Sequence, residues 1–352
     1  KAQSQADGAF TIAGVPTVRG PITTVAESRS GSGLLRGVSA SFPAVISGIT
    51  DAGTITLRAS SFYPVPKFPV GNSPRSVAVA DLNRDGILDI VTVNELPGDI
   101  SVLLGNGDGT FQPEQRFAAG DSPTSVAVAD LNRDGKLDVV TANFTSEDIS
   151  VLLGNGNGTF QPQQRFAASG GVFLFDGPNS LAVADLNNDG SFDLITSHFD
   201  SAVVSVLFGN GDGTFQPQQR FPAGNVREGP NSIAVADLNG DGAVDVVAAN
   251  GSNRVFILIG NGDGTFQPSE PNFAVGSGPL SVALADLDGD GRLDIVTANV
   301  SSNDASVLLG NGDGTFQPEQ RYVVGGFPFS VAVADLQGDG RLDVVWASHG
   351  ID

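Results

Sequence analysis

This sequence predicts an all-β protein, a β-propeller of four-stranded blades, on three observations. A nine-residue acidic stretch, Asp130-Leu131-Asn132-Arg133-Asp134-Gly135-Lys136-Leu137-Asp138, is written six times. The copies start at Asp81, Asp130, Asp185, Asp237, Asp286 and Asp335, with separations of 49, 55, 52, 49 and 49 residues, and a period near fifty marks a repeat architecture. The 46 Gly and 20 Pro punctuate many short apolar runs, and no stretch carries a long 3.6-residue period. Four antiparallel strands in about fifty residues make one propeller blade.

In chain order, residues 1–61 stand apart. They hold four apolar, β-branched runs, Ala9–Val15, Pro21–Ala26, Leu34–Phe42 and Gly53–Ala59, separated by Gly, Ser and Pro clusters that read as turns. The stretch Asp7-Gly8-Ala9-Phe10-Thr11-Ile12-Ala13-Gly14-Val15-Pro16, with Asp51-Ala52-Gly53-Thr54-Ile55-Thr56-Leu57, resembles the later strands of carboxypeptidase-regulatory-like β-sandwich domains. That resemblance implies a partial β-sandwich over 1–61. Three forms stay open: a cut domain, a sandwich completed by a partner's strand through β-addition, and a degenerate blade. The chain has no initiating Met and no leader, so it reads as a processed product or a fragment.

From residue 62 to 352 one plan repeats, clearest in the second copy. Ser125–Leu131 reads as a first strand, Leu137–Asn143 as a second, Ile149–Leu153 as a third and Thr159–Phe166 as a fourth, with Gly154-Asn155-Gly156-Asn157-Gly158 as the hairpin between the last two. Phe62 to Phe68 repeats the spacing of Phe111 to Phe117, and so looks like a fourth strand without its blade. Six repeats give six or seven blades.

The acidic stretch is a candidate calcium loop. Short oxygen side chains alternate at positions 1, 3, 5 and 9, so that they can converge on one hard cation, and the glycine at position 6 permits the sharp turn. The candidate ligands are Asp81, Asn83, Asp85 and Asp89; Asp130, Asn132, Asp134 and Asp138; Asp185, Asn187, Asp189 and Asp193; Asp237, Asn239, Asp241 and Asp245; Asp286, Asp288, Asp290 and Asp294; and Asp335, Gln337, Asp339 and Asp343. Gln337, longer and neutral, makes the sixth set the weakest, so five or six Ca2+ per chain are expected. The spacing is similar to the first half of an EF-hand loop, but position 12 is Thr141 where an EF-hand has Glu, and strands flank the loop. The competing reading is an Asp-Gly turn whose carboxylates cap backbone amides.

These repeats resemble FG-GAP (VCBS-type) repeats, as in integrin α-subunit propellers and bacterial surface proteins. The match covers 62–352 and rests on Val-Ala-Val-Ala-Asp-Leu-Asn-Arg-Asp-Gly at 77–86, Leu-Leu-Gly-Asn-Gly-Asp-Gly-Thr-Phe at 103–111 and their recurrences. The resemblance implies calcium in the loops between first and second strands, and ligands on the opposite face.

Charge and composition narrow the function. The net charge of −21 argues against nucleic acid, whose phosphates need clustered Lys and Arg. Nineteen of the 39 acidic residues lie at the loop positions, and six calcium ions would offset twelve charges, so no acidic-surface role is needed. No membrane span is expected, since no run of about 18 apolar residues exists. With no Cys there is neither a disulfide nor a Cys-based site. Catalysis has little to stand on: His198 and His349 end second strands where Asn94 and Asn143 suggest a turn residue, and no Gly-x-Ser-x-Gly elbow occurs. The Gly-rich runs such as Gly105–Gly109 lie between strands, where phosphate-cradling loops open a helix; Asp108, Asp212, Asp263 and Asp313 read as turn residues. An insertion of six residues between Phe166 and Asp185 carries Val172-Phe173-Leu174-Phe175, and three residues are inserted around Val226-Arg227-Glu228. Both sit opposite the calcium loops, beside the variable turns Glu95–Gly98, Phe144–Asp148, Phe199–Ala202 and Val300–Asp304. They mark either a protein contact or local packing.

Two function classes remain. One is an extracellular or cell-surface calcium-binding adhesion or scaffold module that takes a protein or glycan partner on that face and polymerises through residues 1–61. The other is a lectin-like or polysaccharide-processing propeller. One Trp and two Tyr, with Trp346 on a strand expected to be buried, leave few aromatic platforms for sugars and favour the first. Sequons at Asn143, Asn157, Asn250 and Asn299 decide nothing.

Overall fold

A computed structural model describes residues 68–170, 176–267, 272–336 and 338–349, and in residues 1–67 only five strand segments. The chain divides into two compact units, residues 1–67 with 334–343, and residues 68–333 with 344–352. In the first unit Ala2–Ser4, Phe10–Ile12 and Ile55–Leu57 form an antiparallel sheet with Phe10–Ile12 central, and Val25–Ser30 pairs with Gly33–Val38. Strands therefore fall on three of the expected runs; the one at Val25–Ser30 begins only where the run Pro21–Ala26 ends. Residues 62–67 lie outside the described residues.

The second unit contains five four-stranded antiparallel sheets, each in sequence order. A two-stranded sheet pairs Phe327–Ala334 with Asp343–His349. The five are the blades 1 to 5. Blade 2 runs Pro123–Ala129, Asp138–Asn143, Asp148–Leu152 and Gln164–Ala167. Every residue of its second strand is buried, the polar Asp138, Thr141 and Asn143 together with Val139, Val140 and Ala142, so the strand is covered on both faces.

Most boundaries of these strands shift by one or two residues from the expected ones and the start of the fourth by five, and two of the shifts have local reasons. The first strand ends at Ala129 because the amide of Leu131 donates to Asp138 Oδ2 at 2.9 Å instead of to the ladder. The fourth strand starts at Gln164 rather than Thr159: Phe160 makes only an isolated bridge with Gly154, Gln161 N donates to Leu153 O at 2.8 Å, and Pro162 has no N–H to continue the pairing. Between them Asn155 N donates to Thr159 O across Gly156 and Gly158, both at positive φ (76° and 78°), so the turn is wider than a two-residue one.

Blades are joined by repeated contacts. The fourth-strand Phe of one blade meets the hairpin Phe of the next edge-to-face, as in Phe117–Phe160 and Phe166–Phe215, with centroids 5.2 and 5.3 Å apart. Phe68 makes the same contact with Phe111 at 4.8 Å, so it holds the place of a fourth-strand Phe. On the first strands, Ser125 Oγ accepts from Leu181 N, and Ser180, Ser232 and Ser281 accept from the following blade likewise. Around these links the apolar clusters span neighbouring sheets; Val91, Ile100 and Val102 of blade 1 pack with Val126, Val139 and Leu152 of blade 2.

Trp346 is a correction. It is 36% exposed, in a sheet that has two strands among the described residues, whereas its counterpart Thr141 is flanked by a third strand, opposite Ser150.

Candidate metal centres

Each acidic loop joins a first strand to a second, and its fold follows from a handful of carboxylate–amide bonds. In loop 1, Asp81 Oδ1 accepts from Asp85 N (3.1 Å) and its Oδ2 from Gly86 N (2.8 Å), with Gly86 at φ 83°. Asn83 Oδ1 accepts from Asp85 N, and Asp85 Oδ1 accepts from Ile87 N. Position 9 works differently. Asp89 is fully buried, accepts from Leu82 N through Oδ2, and reaches the hairpin of its own blade through Oδ1 to Gly105 N, both at 2.8 Å. It pins loop, second strand and hairpin together.

The same bonds recur at Asp130, Asn132, Asp134 and Asp138 in loop 2 and at Asp185, Asn187, Asp189 and Asp193 in loop 3. Loop 5 repeats them with Asp286, Asp288, Asp290 and Asp294, and loop 4 does so with Asp237, Asn239, Asp241 and Asp245 except that Asp237 Oδ1 accepts from Gly240 N in place of Asp241 N. In loop 6, Asp335 caps Gly338, Asp339 and Gly340, and Asp343 caps Leu336; Gln337 lies outside the described residues. Amide capping is thus present in all six, but it does not exhaust the carboxylates: Asp286 Oδ1 and Asp335 Oδ1 each accept two amides, whereas oxygens such as both of Asp81 accept one and keep a further lone pair.

Crowding of these carboxylates has an electrostatic cost. Burial, and then the nearby carboxylates of positions 5 and 1, push Asp193 up to about 6, and Asp138 and Asp245 also rise. A cation among them removes that penalty. The donor set fits one in loop 5, where one oxygen each from Asp286, Asp288 and Asp294 lie within 4.8 Å of one another. Oxygens around an ion with bonds of about 2.4 Å span about that distance.

At the other end of blades 1, 2, 3 and 5 lies a polar network that the sequence reading missed. Asn143, fully buried at a strand end, donates to Asp148 Oδ1 and Ser150 Oγ (both 2.9 Å) and accepts from Thr141 Oγ1; Arg165 pairs with Asp148. Blades 1 and 5 repeat it with Asn94, Asp99 and Arg116, and with Asn299, Asp304 and Arg321. The signal was the recurring Thr-x-Asn and Asp-x-Ser, which the turn reading of Asn94 and Asn143 concealed. Burial of Asn143, Asn250 and Asn299 also removes those three sequons as glycan acceptors. Blade 3 departs: His198 replaces the Asn, Val203 replaces the Asp, and Asp176 of the long connection supplies the carboxylate, 2.7 Å from Arg220 Nη2.

His198 is fully buried, with Nδ1 2.9 Å from the Asp176 carbonyl and Nε2 3.0 Å from Thr196 Oγ1. A carbonyl only accepts, so Nδ1 carries the proton and Thr196 donates to Nε2. Val172–Phe175 lie outside the described residues. The second insertion forms a turn in which Arg227 N donates to Asp200 O at 3.0 Å and Val226 is 57% exposed. In the hairpins, Asp108 and Asn157 accept alike from Thr110 and Thr159, which is turn chemistry.

Comparison with known proteins bears on these loops. A model of the FG-GAP-like repeat matches residues 81–141, 130–196, 197–248, 237–297 and 288–346. No curated protein matches significantly. Among solved structures, the chain is similar to a lectin of Agrocybe aegerita described as recognising non-reducing terminal N-acetylglucosamine, with 25% identity over 77% of this chain and 73% of that one and a TM-score of 0.55. It is similar in fold to a periplasmic gluconolactonase of Pseudomonas aeruginosa (18% identity, 77% and 73% covered, TM-score 0.55). BBS1N in complex with ARL6DN is a third (13% identity, 79% and 76%, TM-score 0.56).

Proposed function

The chain belongs to the FG-GAP-like repeat family, and we propose that it is an extracellular calcium-binding β-propeller serving as an adhesion, scaffold or surface-assembly module. The observation that carries this is the convergence of carboxylate oxygens in loop 5 within a calcium-sized space, in a loop whose backbone pattern the other five share. Calcium in five or six loops fixes one end of the blades, while the turns at the other end take a protein or surface glycan. Residues 1–61 offer a route to self-assembly by strand addition. Extracellular placement follows from calcium supply, since sites suited to millimolar calcium stay largely empty at cytosolic levels.

Thermal unfolding with and without excess EGTA, paired with metal analysis, tests the reading. Five or six calcium ions per chain and a large calcium-dependent rise in midpoint are expected; at a hundred times the dissociation constant each independent site adds about 2.7 kcal/mol. No bound metal and no shift would leave the loops as amide-capped turns. A second reading, glycan binding, is favoured by the lectin at 25% identity. Failure to bind glycans ending in N-acetylglucosamine, with or without calcium, removes that specificity.

A further inference from the structure

The fourth position of every loop is left-handed. Three loops place Gly there, at Gly240, Gly289 and Gly338 (φ 76°, 78° and 68°), but the first three place Arg84, Arg133 and Asn188 (φ 64°, 59° and 57°). A side chain in that conformation costs about 1 kcal/mol relative to Gly, and loops 4 to 6 demonstrate that Gly suffices for the turn. The side chains at Arg133 and Asn188 reach across a blade junction. Arg133 Nη2 donates to the Asp189 carbonyl (3.2 Å) and to Ser191 Oγ (2.7 Å) of loop 3, and lies 3.9 Å from Asp189 Oδ1. Asn188 makes only a neutral bond, to Gly262 O of the next hairpin at 3.3 Å.

Loops 3 and 4 present the same oxygen set, Asp-Asn-Asp-Asp, so they differ chiefly in what faces position 5. On Asp189 that is a guanidinium from the neighbouring blade; Asp241 accepts only from Asn239 Nδ2 and Ala243 N among the described residues. We propose that Arg133 is a resident counter-cation that makes loop 3 the weaker of these two matched calcium sites, so that it fills after loop 4. This rests on the calcium reading above. Two effects of Arg133 oppose each other. Its bonds hold Asp189 and Ser191 in place, which favours an ion, and its charge repels one. Repulsion wins, because loop 4 keeps the same turn with no such clamp, so little holding is left for Arg133 to add. A single charge a few ångströms from a divalent ion in wet surroundings corresponds to about a fivefold loss of affinity, smaller in high salt.

Calcium binding to the full chain is measured by equilibrium dialysis at low ionic strength, for the wild type, Arg133→Gly, Arg133→Gln, Asp189→Asn and the pair Arg133→Gly with Asp189→Asn. The Gly variant keeps the backbone, and the Gln variant keeps a donor without charge. Expected is one binding step moved to about fivefold lower free calcium in both Arg133 variants, one ion lost in Asp189→Asn, and no shift from Arg133→Gly in the Asp189→Asn background. Unchanged curves in the Arg133 variants, a step moved to higher calcium, or a shift that survives Asp189→Asn overturns the proposal while leaving calcium binding intact. A wild type that binds no calcium overturns both.

Discussion

Blade 2 takes the carboxylate that faces Arg165 from its own third strand, at Asp148, whereas blade 3 has Val203 there and takes Asp176 from the connecting segment. The bonding requirement is the same: an arginine on the fourth strand needs an anion at the strand end. The surroundings differ, since Asp176 is fully buried and Arg220 mostly so, while Arg165 is about half exposed. In blade 3 the charge pair also ties a long connection to the sheet, with Asp176 Oδ1 accepting from Ser201 N. A repeat can therefore lose a residue of its pattern and recover the interaction from a segment outside it.

The largest expected effect is Asp176→Ala. It strands a mostly buried guanidinium and releases the connection, at about 3–5 kcal/mol. Asp148→Ala should cost about 1–2 kcal/mol, because Arg165 turns to water and Asn143 keeps Ser150. Urea unfolding of the two variants decides this, and equal costs would erase the distinction between the blades. Val203→Asp in the Asp176→Ala background restores the blade 2 arrangement and should recover about half of the lost stability; no recovery means that Asp176 matters for the connection and not for Arg220.

A smaller effect concerns pH. Burial depresses the His198 pKa below its ordinary value. A histidine with a lowered folded pKa contributes stability that is fully present above the unfolded value near 6.5 and is lost as pH falls below it. Melting temperatures between pH 7.5 and 5 should therefore drop more steeply for wild type than for His198→Asn, which installs the residue of the other blades. The charged groups around it are Asp176, Arg220 and Glu147. Parallel curves would remove His198 as the source.

Much of the candidate site was legible because its information is local. Asp at positions 1, 5 and 9 and Gly at position 6 act within a single turn, and six repetitions separate the pattern from chance. The second role of position 9 was not legible. Asp138 holds Gly154 N, sixteen residues on, and sequence spacing within the loop carries no trace of that hairpin. The polar network was misread for a similar reason: Asn143 stands next to a turn in sequence, but its partners Ser150 and Asp148 are set by cross-strand register.

By itself the sequence determined the all-β class, the fifty-residue repeat, the strand-loop-strand order and the loop oxygens, since each depends on neighbours a few residues apart or on a period. Only the tertiary structure decided which side chains meet across blades or between a blade and its connecting segment. Arg133 on Asp189, Phe117 on Phe160 and Asp176 on Arg220 lie 43 to 56 residues apart. Such contacts depend on how neighbouring sheets stack, which is fixed by the packing of whole apolar faces and by no single motif.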